Sequence, residues 1–326
     1  MSKILVTGAG GFIGSHLTEA LVRQGENIRA LVRYNSRDDR GLLEDLPKEI
    51  QNQLEIVPGD LKDPDGVKKA VKGCGKIYHL GALIAIPYSY VHPLDFIQTN
   101  VVGTANLLNA CLENDALERV IHTSTSEVYG TAQHLPIDEK HPLQAQSPYA
   151  ASKIAADKLA ESYYLSFGLP VATLRPFNTF GPRQSLRAII PTIISQALQE
   201  EKIRLGNMRP RRDMLFVRDT VRGFIEAGMC DAAVGKVINI GTGRDVAVDE
   251  LARKILDLSG QEKEIEIDDR RIRPDKSEVM HLLSDTRLAQ KLLGWTPRYS
   301  LEEGLRETIE WYRENLSRFK VGTYPL

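Results

Sequence analysis

Residues 3–25, KILVTGAGGFIGSHLTEALVRQG, constrain the fold more than any other stretch of the chain. An apolar run, a glycine-rich turn and an amphipathic segment closed by Gly25 read as a buried strand, a tight turn and a helix. Gly8, Gly11 and Gly14 stand three apart, and Ile13 takes the position where the commoner dinucleotide spacing has its last glycine. Small residues let the backbone approach a pyrophosphate, and the helix N-terminus offers it free amides. The turn therefore reads as a dinucleotide site, with Phe12 and Ile13 opening its helix.

Further strands alternate with helices and predict a parallel, doubly wound α/β sheet of the Rossmann type. IRALV at 28–32 ends in Val32 and Arg33, where an acidic residue accepting the adenosine ribose hydroxyls is usual. Arg33 and Arg37 suit a 2′-phosphate, so NADP is open beside NAD; two solvated loop arginines are the other reading. LEIVPGDLKD at 54–63 and KIYHLGA at 76–82 give two more strands, with Asp60 and Leu61 set toward an adenine and Leu80 to Ala82 beneath the cofactor. A long helix is expected over 93–114, on which Asn100 is either a cofactor-ribose contact or a buried amide satisfied by backbone. PVATLRPFNTFGPR at 170–183 is a strand running into a loop.

From about 178 the alternation breaks into a helix at 188–200, a basic turn at 209–213, a late strand at 236–243 and then mostly helices with a short strand at 265–267. The expected division is a cofactor domain over 1–177, with a returning segment near 214–243, and a smaller interleaved substrate lobe over 178–326.

Residues 124–153 are expected to carry chemistry. STSEVYG at 124–130 follows the strand RVIHT, where an open α/β sheet places its ligand crevice. In SPYAASK at 147–153, Ser147 is set to cap a helix with Pro148 in its first turn, which puts Tyr149 and Lys153 one turn apart on one face. An ammonium beside a phenol favours the phenolate, making Tyr149 a usable general base. Such a pair also occurs on helices with no chemistry; the hydroxyls and carboxylate of Ser124, Thr125, Ser126 and Glu127 supply the context.

A net charge of −1 in 326 residues gives no overall case for nucleic acid or an anionic membrane, and the basic clusters at 209–212 and 270–273 suit phosphates on a small molecule. Cys74, Cys111 and Cys230 lack metal-ligand spacing, so neither a disulfide framework nor a metal site is expected. With no apolar signal segment and no run near the roughly 20 apolar residues of a membrane span, a cytoplasmic location is expected.

TGAGGFIG, GDLKD, TNVVGT, STSEVYG, YAASK, RPFNTFGPR, RRDMLFVRD, NIGTG and LLGW occur in an order that resembles the extended short-chain dehydrogenase/reductase family, in its group of nucleotide-sugar epimerases, dehydratases and decarboxylases. The resemblance implies a tightly held, recycled nicotinamide that oxidises a sugar at carbon 4 and later returns the hydride. On that template Tyr149 takes the hydroxyl proton, Lys153 lowers its pKa and grips the nicotinamide ribose, and Thr125 orients the sugar hydroxyl. Asn178, Arg212 and Arg273 match positions that hold the nucleotide diphosphate, and Tyr88 and Arg183 fall in motifs assigned to the substrate. A homodimer through the helices at 93–114 and 148–167 is also implied.

The 4,6-dehydratases of nucleotide-linked glucose use an Asp and Glu pair where this chain has Ser126 and Glu127; the Glu removes the carbon 5 proton and the Asp protonates the departing carbon 6 hydroxyl. Glu127 matches and Ser126 does not, so Glu127 carries the proton both ways or a water relays it. IAIPYSYVHP at 84–93 and RIRPDKSEV at 271–279 look like the 4,6-dehydratases of nucleotide-linked N-acetylglucosamine. The expectation is that reaction. UDP-glucuronate decarboxylase, 4-epimerase and a non-enzymatic NAD(P)-binding regulator stand as alternatives.

Overall fold

A computed structural model of the chain describes residues 2–318. Strands β1 (Lys3–Thr7), β2 (Ile28–Arg33), β3 (Leu54–Gly59), β4 (Cys74–His79), β5 (Arg119–Thr123) and β6 (Val171–Pro176) alternate with helices. Then come β7 (Asn178–Phe180), β8 (Ile203–Leu205), β9 (Arg211–Phe216), β10 (Val237–Ile240), β11 (Asp245–Ala247), β12 (Ile265–Ile267) and β13 (His281–Leu282). The main sheet has seven strands in the order β10-β6-β5-β4-β1-β2-β3, and every pairing in it is parallel. This is the doubly wound α/β fold.

Both faces are covered, which is why these strands read as apolar runs rather than alternating ones. Ile4, Val6, Ile28, Ala30 and Val32 enter one core, while Leu5, Leu31, Ile77 and Val120 enter the other. The chain order reverses between β1 and β4, so a crevice opens beyond their C-terminal ends, between the glycine turn and Leu80–Ala82.

A second layer joins this sheet on the C-terminal side. In it β9 pairs antiparallel with β11 and parallel with β7 and β13, and β8 pairs with β12. The basic stretch 209–213 is therefore largely strand rather than turn, and the strand's period of two sends its arginines to opposite sides. Arg211 pairs with Asp245 at 2.9 Å, whereas Arg212 lines the cleft.

The helix Pro148–Phe167 starts as its sequence dictates, with the Ser147 hydroxyl accepting the Ala150 amide at 3.1 Å and Pro148 in the first turn. It ends at Gly168, whose φ of 69° suits a residue without a β-carbon. Over 93–114 the chain is helical but uneven: Pro93–Phe96 and Gly103–Leu112 are α-helix, and Ile97–Val102 between them is a π-helical turn. No described helix is long and apolar enough to cross a membrane.

Candidate active site

A cleft of about 830 Å³ runs from the glycine turn, past the ends of β1, β4, β5 and β6, to β9 and the 271–278 segment. It gathers Gly8, Gly11, Phe12, Ile13, Gly14, Arg33, Leu80 and Ala82 at one end. Thr125, Ser126, Glu127, Tyr149 and Lys153 lie on it with Asn178, Arg212 and Arg273. Residues far apart in sequence converge because β5 and β6 are adjacent and the helix Pro148–Phe167 packs beside them.

The glycine turn is built for close approach. Gly8 has a φ of +69°, and a β-carbon on Gly14 would lie 2.1 Å from the Gly8 carbonyl oxygen. The helix Phe12–Arg23 that follows has no side-chain cap and no acidic residue in its first turn, so its N-terminal amides remain available to an anion. The buried Thr123 Oγ1 and Asn178 Oδ1, both on cleft-lining residues, have no hydrogen-bond partner among the described residues. Unsatisfied buried polar atoms are costly unless a ligand or water meets them. Amide-rich turn, apolar walls and orphaned acceptors together fit a dinucleotide.

Thr125 begins the short helical turn Ser126–Tyr129, its hydroxyl accepting the Glu127 amide at 3.2 Å. The same hydroxyl acts on Tyr149, favouring its phenolate. Burial raises the Tyr149 phenol above its ordinary range; the Thr125 hydroxyl opposes this, and the charges of Glu127 and Asp157 add to it. Burial also lowers Lys153 to about 8, against the pull of the Asp157 carboxylate. These directions correct the expected pairing. Lys153 donates from Nζ to the Thr123 carbonyl at 2.6 Å, and desolvation rather than a neighbouring ammonium dominates the phenol. Glu127 is buried on the cleft wall, and its charge offsets the desolvation of Arg212.

Several expected contacts lie elsewhere. Arg183 faces away from the cleft and bonds Glu19 at 2.8 Å and His16 at 2.7 Å. It borders a second hollow of about 950 Å³ between the helices Phe12–Arg23, Val217–Met229 and Leu301–Asn315. That hollow has none of the glycine turn or the Tyr149 cluster on its walls. Asn100 holds backbone instead of ligand: its side chain accepts the Leu83 amide at 2.8 Å and donates to the Leu83 carbonyl at 2.9 Å and to Ser152 at 2.9 Å. Tyr88 donates to Asp95 at 3.2 Å and stacks near His92 and Phe96. Asp60 and Leu61 are not on the lining: Asp60 accepts the Lys62 amide at 2.9 Å, and Leu61 packs beneath Gly81 and Gly103.

Conversely, the cleft includes Asn35, Arg40, Arg187, Asn207 and Glu278, which sequence reasoning did not single out. Glu278 stands 3.6 Å from Arg212 and 3.7 Å from Arg273, so one carboxylate spaces the two arginines. Its signal was present, since it lies inside RIRPDKSEV. Arg40 is brought in by a loop that packs on the glycine turn, where the Leu42 amide donates to the Gly10 carbonyl at 2.9 Å.

Residues 5–308 match the profile of the GDP-mannose 4,6 dehydratase family. The dTDP-D-glucose 4,6-dehydratase of Mus musculus is 32% identical over 98% of this chain and 90% of its own length. The crystal structure of a double mutant of DesIV, a dTDP-glucose 4,6-dehydratase from Streptomyces venezuelae solved with NAD bound, superposes with a TM-score of 0.89 at 29% identity, covering 97% of this chain and 98% of that one. The UDP-N-acetylglucosamine 4-epimerase of Methanobrevibacter ruminantium, solved with UDP-N-acetylmuramic acid, gives a TM-score of 0.87 at 31% identity, covering 96% and 99%.

Proposed function

The chain belongs to the extended short-chain dehydrogenase/reductase family of nucleotide-sugar dehydratases and epimerases, and from that premise we propose that it is an NAD(P)-dependent 4,6-dehydratase acting on a nucleotide-linked N-acetylglucosamine. Glu127 carries the proposal: a buried carboxylate on the cleft wall, close enough to Tyr149 and Arg212 for its charge to act on both. A 4-epimerase only turns a ketone over and needs no such group.

Gly8, Gly11 and Gly14 would hold the dinucleotide pyrophosphate at the open helix end, and Lys153 the nicotinamide ribose. NAD(P), when bound, supplies the redox chemistry, accepting hydride from carbon 4 and returning it to carbon 6. Tyr149 takes the carbon 4 hydroxyl proton as the ketone forms, with Thr125 orienting that hydroxyl. The new ketone acidifies the carbon 5 hydrogen, and Glu127 removes it. With Ser126 in place of an acid, the protonated Glu127 then donates to the carbon 6 oxygen, water leaves as the carbon–carbon double bond forms, and a proton drawn from solvent completes carbon 5 as carbon 6 is reduced. Arg212, Arg273 and Asn178 hold the diphosphate, for which paired guanidinium groups are the apt donors.

Two cleft segments support the acetamido sugar. Ile84 to Pro87 and the Arg271, Arg273 and Glu278 group line the cleft, and they belong to the two stretches that resemble N-acetylglucosamine dehydratases. Mass spectrometry of products from UDP-, GDP- and dTDP-linked N-acetylglucosamine and glucose tests this. The expected result is loss of one water from an N-acetylglucosamine donor; turnover confined to glucose donors would remove the acetamido assignment. Ser126 and the likeness to an N-acetylglucosamine 4-epimerase favour epimerisation as the second reading, which predicts a product of unchanged mass.

Arg33 ends β2 at the cleft. If it meets a 2′-phosphate, Arg33→Ala should weaken NADP binding more than NAD binding in calorimetric titrations. Equal losses for the two would take Arg33 out of cofactor choice.

A further inference from the structure

One turn beyond Lys153 on the same helix, Asp157 is 4% exposed, and no step above uses it. Four donor bonds close on its carboxylate: His122 Nε2 at 3.1 Å, Ser124 Oγ at 2.7 Å, and Arg175 through Nε at 3.1 Å and Nη2 at 2.8 Å. His122 lies on β5, Ser124 opens the turn that carries Thr125 and Glu127, and Arg175 lies on β6. Arg175 is itself fixed by the Tyr129 hydroxyl at 2.9 Å, which donates onward to Asn239 at 2.7 Å. One carboxylate thus ties the helix bearing Tyr149 and Lys153 to the strand end bearing Thr125.

Charge in this layer is sparse. From β4, His79 lies 5.8 Å ring to ring from His122; burial lowers both imidazoles from their ordinary range, and for His122 the Asp157 carboxylate opposes it. Tyr149, Tyr129 and Glu127 border the same layer, and Glu127 faces Arg212. His122, Arg175 and Lys153 all act to lower Asp157 against its burial.

We propose that Asp157 is a positioning residue for the chemistry at Tyr149: its clamped carboxylate is the counter-charge that keeps Lys153 an ammonium and sets the spacing of Tyr149 from Thr125. The buried Arg175–Asp157 pair by itself is weak evidence of a stabilising role. A carboxylate one turn from a buried amine, however, acts on that amine's protonation whatever else it does.

The inference rests on the proposed activity for its kinetic arm alone. Competitive acetylation of Lys153 across pH, read by mass spectrometry on the full chain, reports its titration directly. In Asp157→Asn the amine should become reactive at a pH lower by about one unit or more. Both limbs of the kcat/KM–pH profile should also move to lower pH, because the Asp157 charge disfavours the Tyr149 phenolate and favours the Lys153 ammonium. A carboxylate that only holds the fold would lower the amplitude and leave the limbs and the Lys153 titration in place, which overturns the proposal. If the single variant does not fold, Asp157→Asn with Arg175→Met removes the unpaired buried cation as well, and the same shift in Lys153 is expected. A shifted Lys153 in a protein that dehydrates no nucleotide sugar sinks the activity and not this role; dehydration with an unshifted Lys153 does the reverse.

Discussion

Tyr149→Phe is expected to lower turnover roughly 100-fold or more while leaving nucleotide-sugar affinity nearly unchanged. The substitution keeps the ring, which packs edge-on to Phe96 at 6.2 Å, and removes only the hydroxyl on which Thr125 acts. A loss of that size is about 2.7 kcal/mol of transition-state stabilisation, typical of removing a positioned base. Steady-state kinetics beside calorimetric binding separates the two effects. The buried phenol makes the expectation sharper: desolvation alone would keep it protonated, so its use as a base requires the Lys153 ammonium to stay charged in the loaded site. Near wild-type turnover in Tyr149→Phe would remove Tyr149 from the proton transfer.

In heavy water the unsubstituted enzyme should yield a 4-keto-6-deoxy sugar carrying solvent deuterium at carbon 5. Glu127→Gln should then stop the sequence after oxidation, cutting water loss by roughly 100-fold or more and leaving the bound nicotinamide reduced. Gln preserves the shape of the side chain and its place on the cleft wall but can neither take the carbon 5 proton nor hand one to the leaving hydroxyl. Because Ser126 stands beside it and has no acidic proton to give at neutral pH, no neighbouring side chain in the turn takes over. The result to fear is a product of unchanged mass inverted at carbon 4, or a pentose from a glucuronate donor. Either transfers the assignment to the corresponding rival chemistry.

Local signals in the sequence carried most of the fold. Ser147 and Pro148 define the start of their helix, and RVIHT and IEI coincide with β5 and β12, because caps and apolar runs act within a few residues. Contacts set by distant partners were not legible. Arg183 follows a run that otherwise feeds the cleft, yet its φ of 68° and its partner Glu19 turn it the other way. Asn100 is consumed by the Leu83 backbone through a π-helical turn, and helical periodicity does not announce the extra residue such a turn accommodates. Asp157 shares a face with Tyr149 and Lys153 by spacing alone, but its meaning depends on Arg175 and His122 arriving from two strands.

The late return of β10 to the edge of β6 bears on how the protein is made. A chain emerging from the ribosome has β1 to β6 available long before Val237–Ile240 appears, and until then β6 presents an open, apolar parallel edge. Gly235 and Thr173 complete the ladder across this seam, their amides bonding Val171 at 2.7 Å and Lys236 at 2.9 Å. Such an edge is a template for pairing with other chains. A chain ending before Val237 would leave that edge of β6 uncovered.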